Sequence, residues 1–287
     1  MTGLFSPKHI GILIISLKTC LVVYILLQLT VFSDKSPDIS FDNQFLFFVL
    51  AGFIAQLIDG ALGMAYGVSC TTFLLNLGIP PVLASASVHT SEVFTTGVSG
   101  LSHLFLKNVN LKLFFKLAIP GVIGSVTGAY LLSNMLDGNF IKPYISAYLL
   151  IIGIFILIKS FKVFKPKDDV KNVSVLGLTG GFFDAIGGGG WGPIVTSNLI
   201  FQGKTPKETI GTVNTAEFFV TFFSTGVFLF FVGIDSWKII LGLIVGGVVA
   251  APIGAVMAKK VNPKVLMFLV GVLIIITSSY SIYKSLN

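Results

Sequence analysis

Long apolar stretches separated by short polar connectors dominate the chain. Seven of them are long enough to cross a bilayer as helices, which takes about 20 apolar residues. They lie near residues 10–32, 82–106, 111–133, 141–161, 208–232, 236–258 and 263–283. The first run is too long for a signal-peptide core, and no small-residue cleavage motif follows it, so we expect a retained transmembrane helix there.

Two other stretches are interrupted. Residues 42–77 and 173–203 each contain two shorter apolar pieces of about 10–17 residues, which is marginal for spanning. The interruptions are an aspartate followed by glycines, at residues 59–63 and 184–190. Such segments are typical of broken or re-entrant helices, whose exposed backbone must be covered by protein or by a water-filled cavity. The pattern leaves open whether these pieces span or re-enter.

The two interruptions belong to an internal repeat. A shift of 125 residues aligns Asp59 with Asp184 and continues without a gap as far as Ser99. Identical pairs include Gly63 and Gly188, Gly67 and Gly192, Thr71 and Thr196, Thr90 and Thr215, and Glu92 and Glu217. Tyr66 aligns with Trp191, and His89 with Asn214. We therefore divide the chain into an N-terminal helix with an acidic connector (1–41), repeat 1 (42–165) and repeat 2 (166–287).

The composition excludes a soluble protein. Hydrophobic residues make up 54% of the chain and charged residues 11%, whereas soluble domains carry roughly 25% charged residues. The sequence predicts an all-α polytopic membrane protein.

Lysines set the expected orientation. The net charge is +7, and all 19 basic residues are lysine. They lie in short connectors rather than in a concentrated patch, so topology explains them better than nucleic-acid binding does. With the N-terminus in the cytoplasm, and leaving out Lys18 within the first helix, fourteen lysines fall inside and four outside, and the C-terminus is outside. Each repeat then crosses an odd number of times, so the two repeats are inverted, as in many secondary transporters.

Two glutamates lie deep in apolar runs, where a carboxyl group usually has a function. His89, Glu92 and Thr96 share one helix face. Asn214, Glu217 and Thr221 repeat that face, with Thr90 and Thr215 beside it. These residues either brace the helices or handle substrate and protons. An ionised carboxylate would repel a bound anion, so we expect a glutamate to be protonated or paired with a donor, with His89 as a candidate partner of Glu92.

The glycines at the interruptions suggest how an anion is held without arginine. Gly60, Gly63, Gly188 and Gly189 let backbone approach a ligand closely. A helix that begins after such a break presents free N–H groups and a positive dipole end. The alternative role for these glycines is close helix packing, and both roles can hold.

Enzyme signatures are not convincing. The glycines at 187–192 are followed by Pro193 rather than by Lys-Ser/Thr, so they do not form a phosphate-binding P-loop. The run 97–100 is similar to an intramembrane serine-protease motif, but no histidine lies on a helix predicted to face it. No spacing indicates a metal site, so we expect no enzyme activity, no cofactor and no metal.

The motifs resemble those of the sulfite exporter TauE/SafE family (DUF81-type) from about Phe45 to the C-terminus. The resemblance rests on Asp59-Gly60-x-x-Gly63, the run 84–92, Asp184 with the glycines and Trp191 that follow it, and the run 211–217. It implies a carrier of sulfur-containing anions, such as sulfite, sulfoacetate or related organosulfonates, in a bacterial inner (plasma) membrane. Composition and spacing do not identify sulfur.

We therefore predict a secondary active transporter of small sulfur oxyanions, with protons as the candidate coupling ion. The alternatives are an anion channel of the same fold and a non-transporting membrane scaffold. The candidate substrate-binding residues are Asp59, Gly60, Gly63, Tyr66, His89, Thr90, Glu92, Asp184, Gly188, Gly189, Trp191, Asn214, Thr215 and Glu217.

Overall fold

All regular secondary structure in the described residues is helical. The computed structural model describes residues 6–27, 42–161, 170–233, 236–257 and 262–286. The helices are α1 (Pro7–Leu27), α2 (Asn43–Leu62), α3 (Tyr66–Asn76), α4 (Pro81–Phe105), α5 (Leu111–Asn134), α6 (Gly138–Ser160), α7 (Val173–Gly187), α8 (Ser197–Phe201), α9 (Pro206–Phe231), α10 (Trp237–Met257) and α11 (Pro263–Leu286), and a π-helical turn, Gly192–Thr196, precedes α8.

The seven long apolar runs each coincide with a helix, so the all-α prediction is confirmed. Within the described residues, six helices are long and apolar enough to cross a membrane, namely α1, α2, α5, α6, α9 and α10. The apolar part of α11, Met267–Tyr283, is shorter. The first run was predicted to reach residue 32, but residues 28–41 lie outside the described part of the chain.

Helix α4 is long but too polar to belong to that group. Its serines, threonines and His89 are buried, because it packs against α9, α10, α3 and α1 inside the bundle. A helix enclosed by other helices can carry polar groups that lipid would not tolerate. This explains why the run 82–106 forms a central helix rather than a lipid-facing one.

The interruptions differ in two ways from the sequence prediction. Helix α2 has 20 residues, so the first piece is longer than the 10–17 residues expected and is long enough to span. The helices also continue through both aspartates, and the breaks begin only at Gly63 and Gly188. Both glycines have φ of 65° and cap their helices in the left-handed conformation, which glycine adopts without steric penalty.

At its other end, α2 begins with a capped turn. The carboxylate of Asp42 accepts hydrogen bonds from the Lys238 ammonium at 2.6 Å and from the Phe45 amide at 2.9 Å. The Lys238 hydrogen bond, and then that of Phe45, lower the pKa of Asp42. Since Lys238 belongs to α10, this contact also holds the start of α2 beside the start of α10.

Helix packing follows the repeat. Helix α2 packs on α10, and the corresponding helix α7 packs on α5; α4 contacts α10 as α9 contacts α5. Helices α4 and α6 pack on their own counterparts, α9 and α11. Gly52 and Gly177 occupy equivalent contacts: a Cβ atom there would lie 2.8 Å from Leu243 Cα and 2.7 Å from the Leu117 carbonyl oxygen, respectively. Helices of one half thus pack on helices of the other half in equivalent pairs, which agrees with two related halves. The inversion of the halves in the membrane and the domain boundaries stay predictions.

Candidate functional site

The two breaks contact each other directly through backbone. A Cβ atom at Gly67 would lie 2.8 Å from the Gly189 Cα, and one at Gly192 would lie 2.8 Å from the Gly63 carbonyl oxygen. Any larger residue at these positions would force the breaks apart. The glycines therefore serve close packing, which was one of the two roles expected from the sequence.

Two threonines join the breaks reciprocally. The Thr196 hydroxyl donates to the Gly63 carbonyl at 2.6 Å, and the Thr71 hydroxyl donates to the Gly188 carbonyl. Both threonines are buried. Since Thr71 aligns with Thr196 and Gly63 with Gly188, the two hydrogen bonds are equivalent under the internal repeat. Each half therefore satisfies a carbonyl left open at the broken helix of the other half.

Amide groups after the second break are not free, contrary to the sequence expectation. The Asp184 Oδ1 accepts hydrogen bonds from the backbone N–H of Gly190 at 2.8 Å and of Trp191 at 2.9 Å. In the first half, Asp59 Oδ1 lies 3.5 Å from the Tyr66 amide nitrogen, a much weaker contact. The aspartate of each half thus lies where an anionic ligand of those amides would lie, which explains why the aspartate precedes the glycines.

His89 pairs with Asp184, and not with Glu92 as the sequence suggested. Its Nε2 lies 3.2 Å from Asp184 Oδ2, and its Nδ1 lies 2.8 Å from the Ser85 carbonyl oxygen. Because a carbonyl only accepts, Nδ1 carries a proton. The contact between Nε2 and Oδ2 joins the imidazole of α4 to the carboxyl group of α7. Sequence spacing could not reveal this pair, because its two residues lie on α4 and α7.

Both glutamates are buried, and each has an oxygen without a hydrogen-bond partner. These oxygens are Glu92 Oε2 and Glu217 Oε2, on side chains that are 1% and 5% exposed. The other oxygen of Glu92 lies in the space left by Gly67, 3.1 Å from the position of a Cβ there. A buried carboxyl oxygen without a hydrogen-bond partner destabilises the folded protein. These oxygens are therefore available to bind a proton, a water molecule or a ligand.

The two halves differ at the position of His89. Its counterpart Asn214 donates from Nδ2 to the Ser99 hydroxyl at 3.0 Å, and its Oδ1 has no partner. The counterpart of Asp184 is Asp59, whose Oδ2 is also unpartnered. The pair His89–Asp184 joins repeat 1 to repeat 2, whereas the equivalent residues Asn214 and Asp59 form no such pair.

The remaining predicted residues contact backbone carbonyl oxygens. The hydroxyls of Thr90 and Thr215 donate to carbonyls of their own helices, four residues back, at 2.7 Å. Trp191 Nε1 donates to the Val213 carbonyl at 3.3 Å. The Tyr66 hydroxyl lies 3.4 Å from the Leu243 carbonyl oxygen.

Gly60 lies outside the breaks, against Gly254 of α10. A Cβ atom at Gly60 would come within 2.9 Å of the Gly254 Cα. This glycine therefore serves the contact between α2 and α10.

Sequence reasoning left Thr71, Thr196, Gly67 and Gly192 out of the site. Their identity in both halves was the available signal, and the structure now places them at the contact between the breaks. Ser85 was missed for a different reason: it holds His89 through its backbone carbonyl, which leaves no trace in residue type.

Three groups could together hold a cation. His89, Glu92 and Asp184 each offer a ligand atom, and these atoms lie within 4.8 Å of one another. Imidazole and carboxylate suit several divalent metals, and the same groups can instead share protons. The sequence predicted no metal site, because its spacing does not show that Asp184 approaches α4.

The apolar spanning helices, the paired breaks and the buried polar centre between them define a polytopic membrane transporter. A family model described as Sulfite exporter TauE/SafE matches residues 48–281, and the chain belongs to this family. The probable membrane transporter protein YtnM of Bacillus subtilis (strain 168) is 42% identical over 247 residues, which cover 83% of this chain and 82% of that protein. No solved structure matches the chain significantly.

Proposed function

We propose that the protein is a secondary active carrier of a small sulfur oxyanion, of the sulfite or organosulfonate type, coupled to protons. The family description supports sulfite or a related anion as the substrate class. The observation that carries the proposal is the contact between the two breaks, around which four buried carboxyl groups and one histidine gather. These carboxyl groups belong to Asp59, Glu92, Asp184 and Glu217.

Charge balance supports proton coupling. Four ionised carboxylates and at most one imidazolium would give the centre a net negative charge, and burying unpaired charges is costly. An anion can enter such a centre only if carboxyl groups are neutralised. A protonated Glu92 or Glu217 can then donate a hydrogen bond to an oxyanion, so the proton that permits binding also contributes to it.

Further donors for the anion lie on the same elements. We assign as side-chain donors the second N–H of the Asn214 amide and, once its contact with Asp184 is released, His89. Thr90 and Thr215 lie beside them on the same helices, and the backbone near Gly63, Gly188 and Gly189 forms the wall of the site. In an arginine-free chain, these neutral or titratable groups replace the guanidinium fork that usually holds an oxyanion.

The unequal halves suggest alternating access. His89 and Asp184 are paired while Asn214 and Asp59 are not, so equivalent positions occupy two different arrangements at once. In an inverted repeat, exchanging these arrangements would open the centre first to one side of the membrane and then to the other. We place the protein in a bacterial plasma membrane, with the N-terminus in the cytoplasm.

Reconstitution into proteoliposomes tests the proposal. Sulfite, sulfoacetate and methanesulfonate should be taken up in a saturable way and be driven uphill by a pH gradient, while chloride and phosphate should compete poorly. A flux that does not saturate and runs only downhill would identify an anion channel instead. If no anion in the panel moves, the protein is a scaffold and the proposal is wrong.

A further inference from the structure

A polar cavity of about 450 Å³ opens at one end of the contact between α4 and α9. It is formed by the loop after α4 and by the start of α9, and its lining includes Lys107, Asn108, Lys207 and Glu208. Both lysines are exposed. Two positive charges at a concave surface raise the local concentration of anions.

The loop that forms this cavity is fastened to α9. The backbone N–H of Asn110 donates to the Thr212 hydroxyl at 2.9 Å, and the Asn110 side chain donates to Glu208 Oε1 at 2.7 Å. Asn108 packs on Gly211, where a Cβ atom would lie 2.8 Å from the Asn108 Cβ. Since Glu208 accepts a hydrogen bond from Asn110, Lys107 and Lys207 are the remaining charged groups among the described residues that line the cavity.

Buried polar atoms without hydrogen-bond partners lie on α4, on α9 and in the loop after α4, between this cavity and the glutamates. We name this part of the helix pair the α4–α9 seam and define it by Ser99, His103, Thr209, Asn214 and Glu217. The unpartnered atoms are Asn108 Oδ1, His103 Nε2, Thr209 Oγ1, Asn214 Oδ1 and Glu217 Oε2.

The burial of these unpartnered atoms indicates what occupies the space around them. Asn108, which lines the cavity, is 4% exposed, and Thr209 is fully buried. Buried polar atoms normally have partners, so a run of them without partners indicates a path that water or a polar solute occupies.

A much smaller cavity lies among the described residues at the opposite end of the same helix pair. It lies between the start of α4, the end of α9 and the start of α10, and its volume is about 10 Å³, which is room for about one water molecule. None of the described residues that line it is charged; they include Ser87, Thr90 and Ser236. Of these two ends, the lysine end therefore has the larger cavity and the charged lining residues.

We propose that the α4–α9 seam is the route by which a small oxyanion reaches Glu92 and Glu217, and that Lys107 and Lys207 capture the anion at its mouth. This inference rests on the proposed function and adds a second binding site to it. The occupant is the transported anion itself, held by two lysine point charges and by the Asn108 side chain, whose amide can turn to offer N–H groups. By the lysine distribution, the mouth faces the cytoplasm.

Kinetics with lysine variants test the capture site. In proteoliposomes that take up methanesulfonate, Lys107→Gln with Lys207→Gln should raise KM roughly five- to tenfold at low ionic strength, because steering by exposed charges is lost. The maximal rate should change little, and the difference in KM should shrink at high salt. Lys112→Gln and Lys204→Gln are matched controls, since these lysines lie nearby but do not line the cavity.

Cysteine labelling tests the route separately. In a background without Cys20 and Cys70, Thr209→Cys is nearly isosteric and should react with a small charged thiol reagent from the aqueous phase, more slowly when methanesulfonate is present. Phe223→Cys, on the exposed surface of α9, should not be protected by substrate.

The outcomes separate the two proposals. Unchanged KM in the double lysine variant, or an unreactive Thr209→Cys, in a protein that transports normally would overturn the capture site and the route but leave the proposed function standing. Absence of flux in the unmodified protein would overturn both.

Discussion

Thr196 donates its hydroxyl hydrogen to the carbonyl oxygen of Gly63 at 2.6 Å, across the interface between the two repeats. The equivalent pair, Thr71 and Gly188, forms the same bond in the opposite direction. The carbonyl group at each break thus accepts a hydrogen bond from the other repeat rather than from its own. A movement that opens one break must therefore disturb the other, which is what alternating access requires of its moving parts.

Removal of these hydroxyls should destabilise the contact. Thr71→Val and Thr196→Val each leave a buried carbonyl without a donor, which costs about 1–3 kcal/mol. We expect a lower melting temperature in detergent for both variants, and recovery with Thr196→Ser. Thr127→Val is the control, because Thr127 makes an intrahelical bond on an exposed surface. Equal melting temperatures for Thr196→Val and Thr127→Val would show that the bond between the breaks contributes nothing.

Valine at the breaks should abolish transport. Gly63 and Gly188 have φ of 65°, and a Cβ would lie 3.1 Å from an Ile210 methyl carbon at the first position and 3.0 Å from the Thr71 Cβ at the second. We expect Gly63→Val and Gly188→Val to insert into the membrane but to lose flux. Gly226→Val is the control, because a Cβ at Gly226 meets nothing within 4 Å. Near-normal flux in both break variants would leave the breaks as packing features and move the site elsewhere.

The His89–Asp184 pair should behave as a coupled unit. Removing one partner of a buried hydrogen-bonded pair leaves the other without a partner, which costs about 1–3 kcal/mol, whereas replacing both partners is much less costly. His89→Asn makes the first half resemble the second, where Asn214 stands, and should strongly destabilise the protein. His89→Asn combined with Asp184→Asn should recover most of that stability in a double-mutant cycle read by thermal unfolding. Additive effects of the two substitutions would contradict the pairing.

Accessibility of single cysteines tests the orientation. The lysine bias, with an odd number of crossings expected in each repeat, predicts that the N-terminus lies inside and the C-terminus outside. A cysteine at Lys165 should react only from the cytoplasm, and one at Asn287 only from the exterior; both positions lie outside the described residues. Within the described part, Lys107 lies before α5 and Lys238 in the first turn of α10, and cysteines at these two positions should report opposite sides. Labelling of Lys165 and Asn287 from one side would rule out inverted repeats.

The sequence predicted much of this fold because membrane helices are recognisable from the length of their apolar runs. Apolar length marked seven helices to within a few residues, and the repeat marked which positions are equivalent. The length of α2 was missed, because Asp59 and its glycines look like a helix end but lie in the last turn of the helix. A buried aspartate that accepts bonds from amides beyond the break does not need to interrupt the helix itself.

The site was only half visible from the sequence. Glu92 and Glu217 stood out because carboxyl groups are rare in apolar runs. The partner of His89 did not, because Asp184 reaches it only through the packing of α7 near α4. The hydrogen bonds from the amides after the break to Asp184 could not be predicted either. The same residue pattern allows these amides to bind a ligand or the aspartate that precedes them.

Proton movement tests the central claim most directly. In proteoliposomes held at equal pH on both sides, an inward gradient of methanesulfonate should acidify the lumen, because this sulfonate stays fully ionised near neutral pH and any proton must be carried by the protein. Glu92→Gln and Glu217→Gln keep the size and hydrogen bonding of the glutamates but cannot titrate. The account predicts that at least one of them folds, still moves the anion and no longer acidifies the lumen, with loss of the pH dependence of transport. Anion flux without proton movement in the unmodified protein, or unchanged proton movement in both variants and in the double variant, would contradict it.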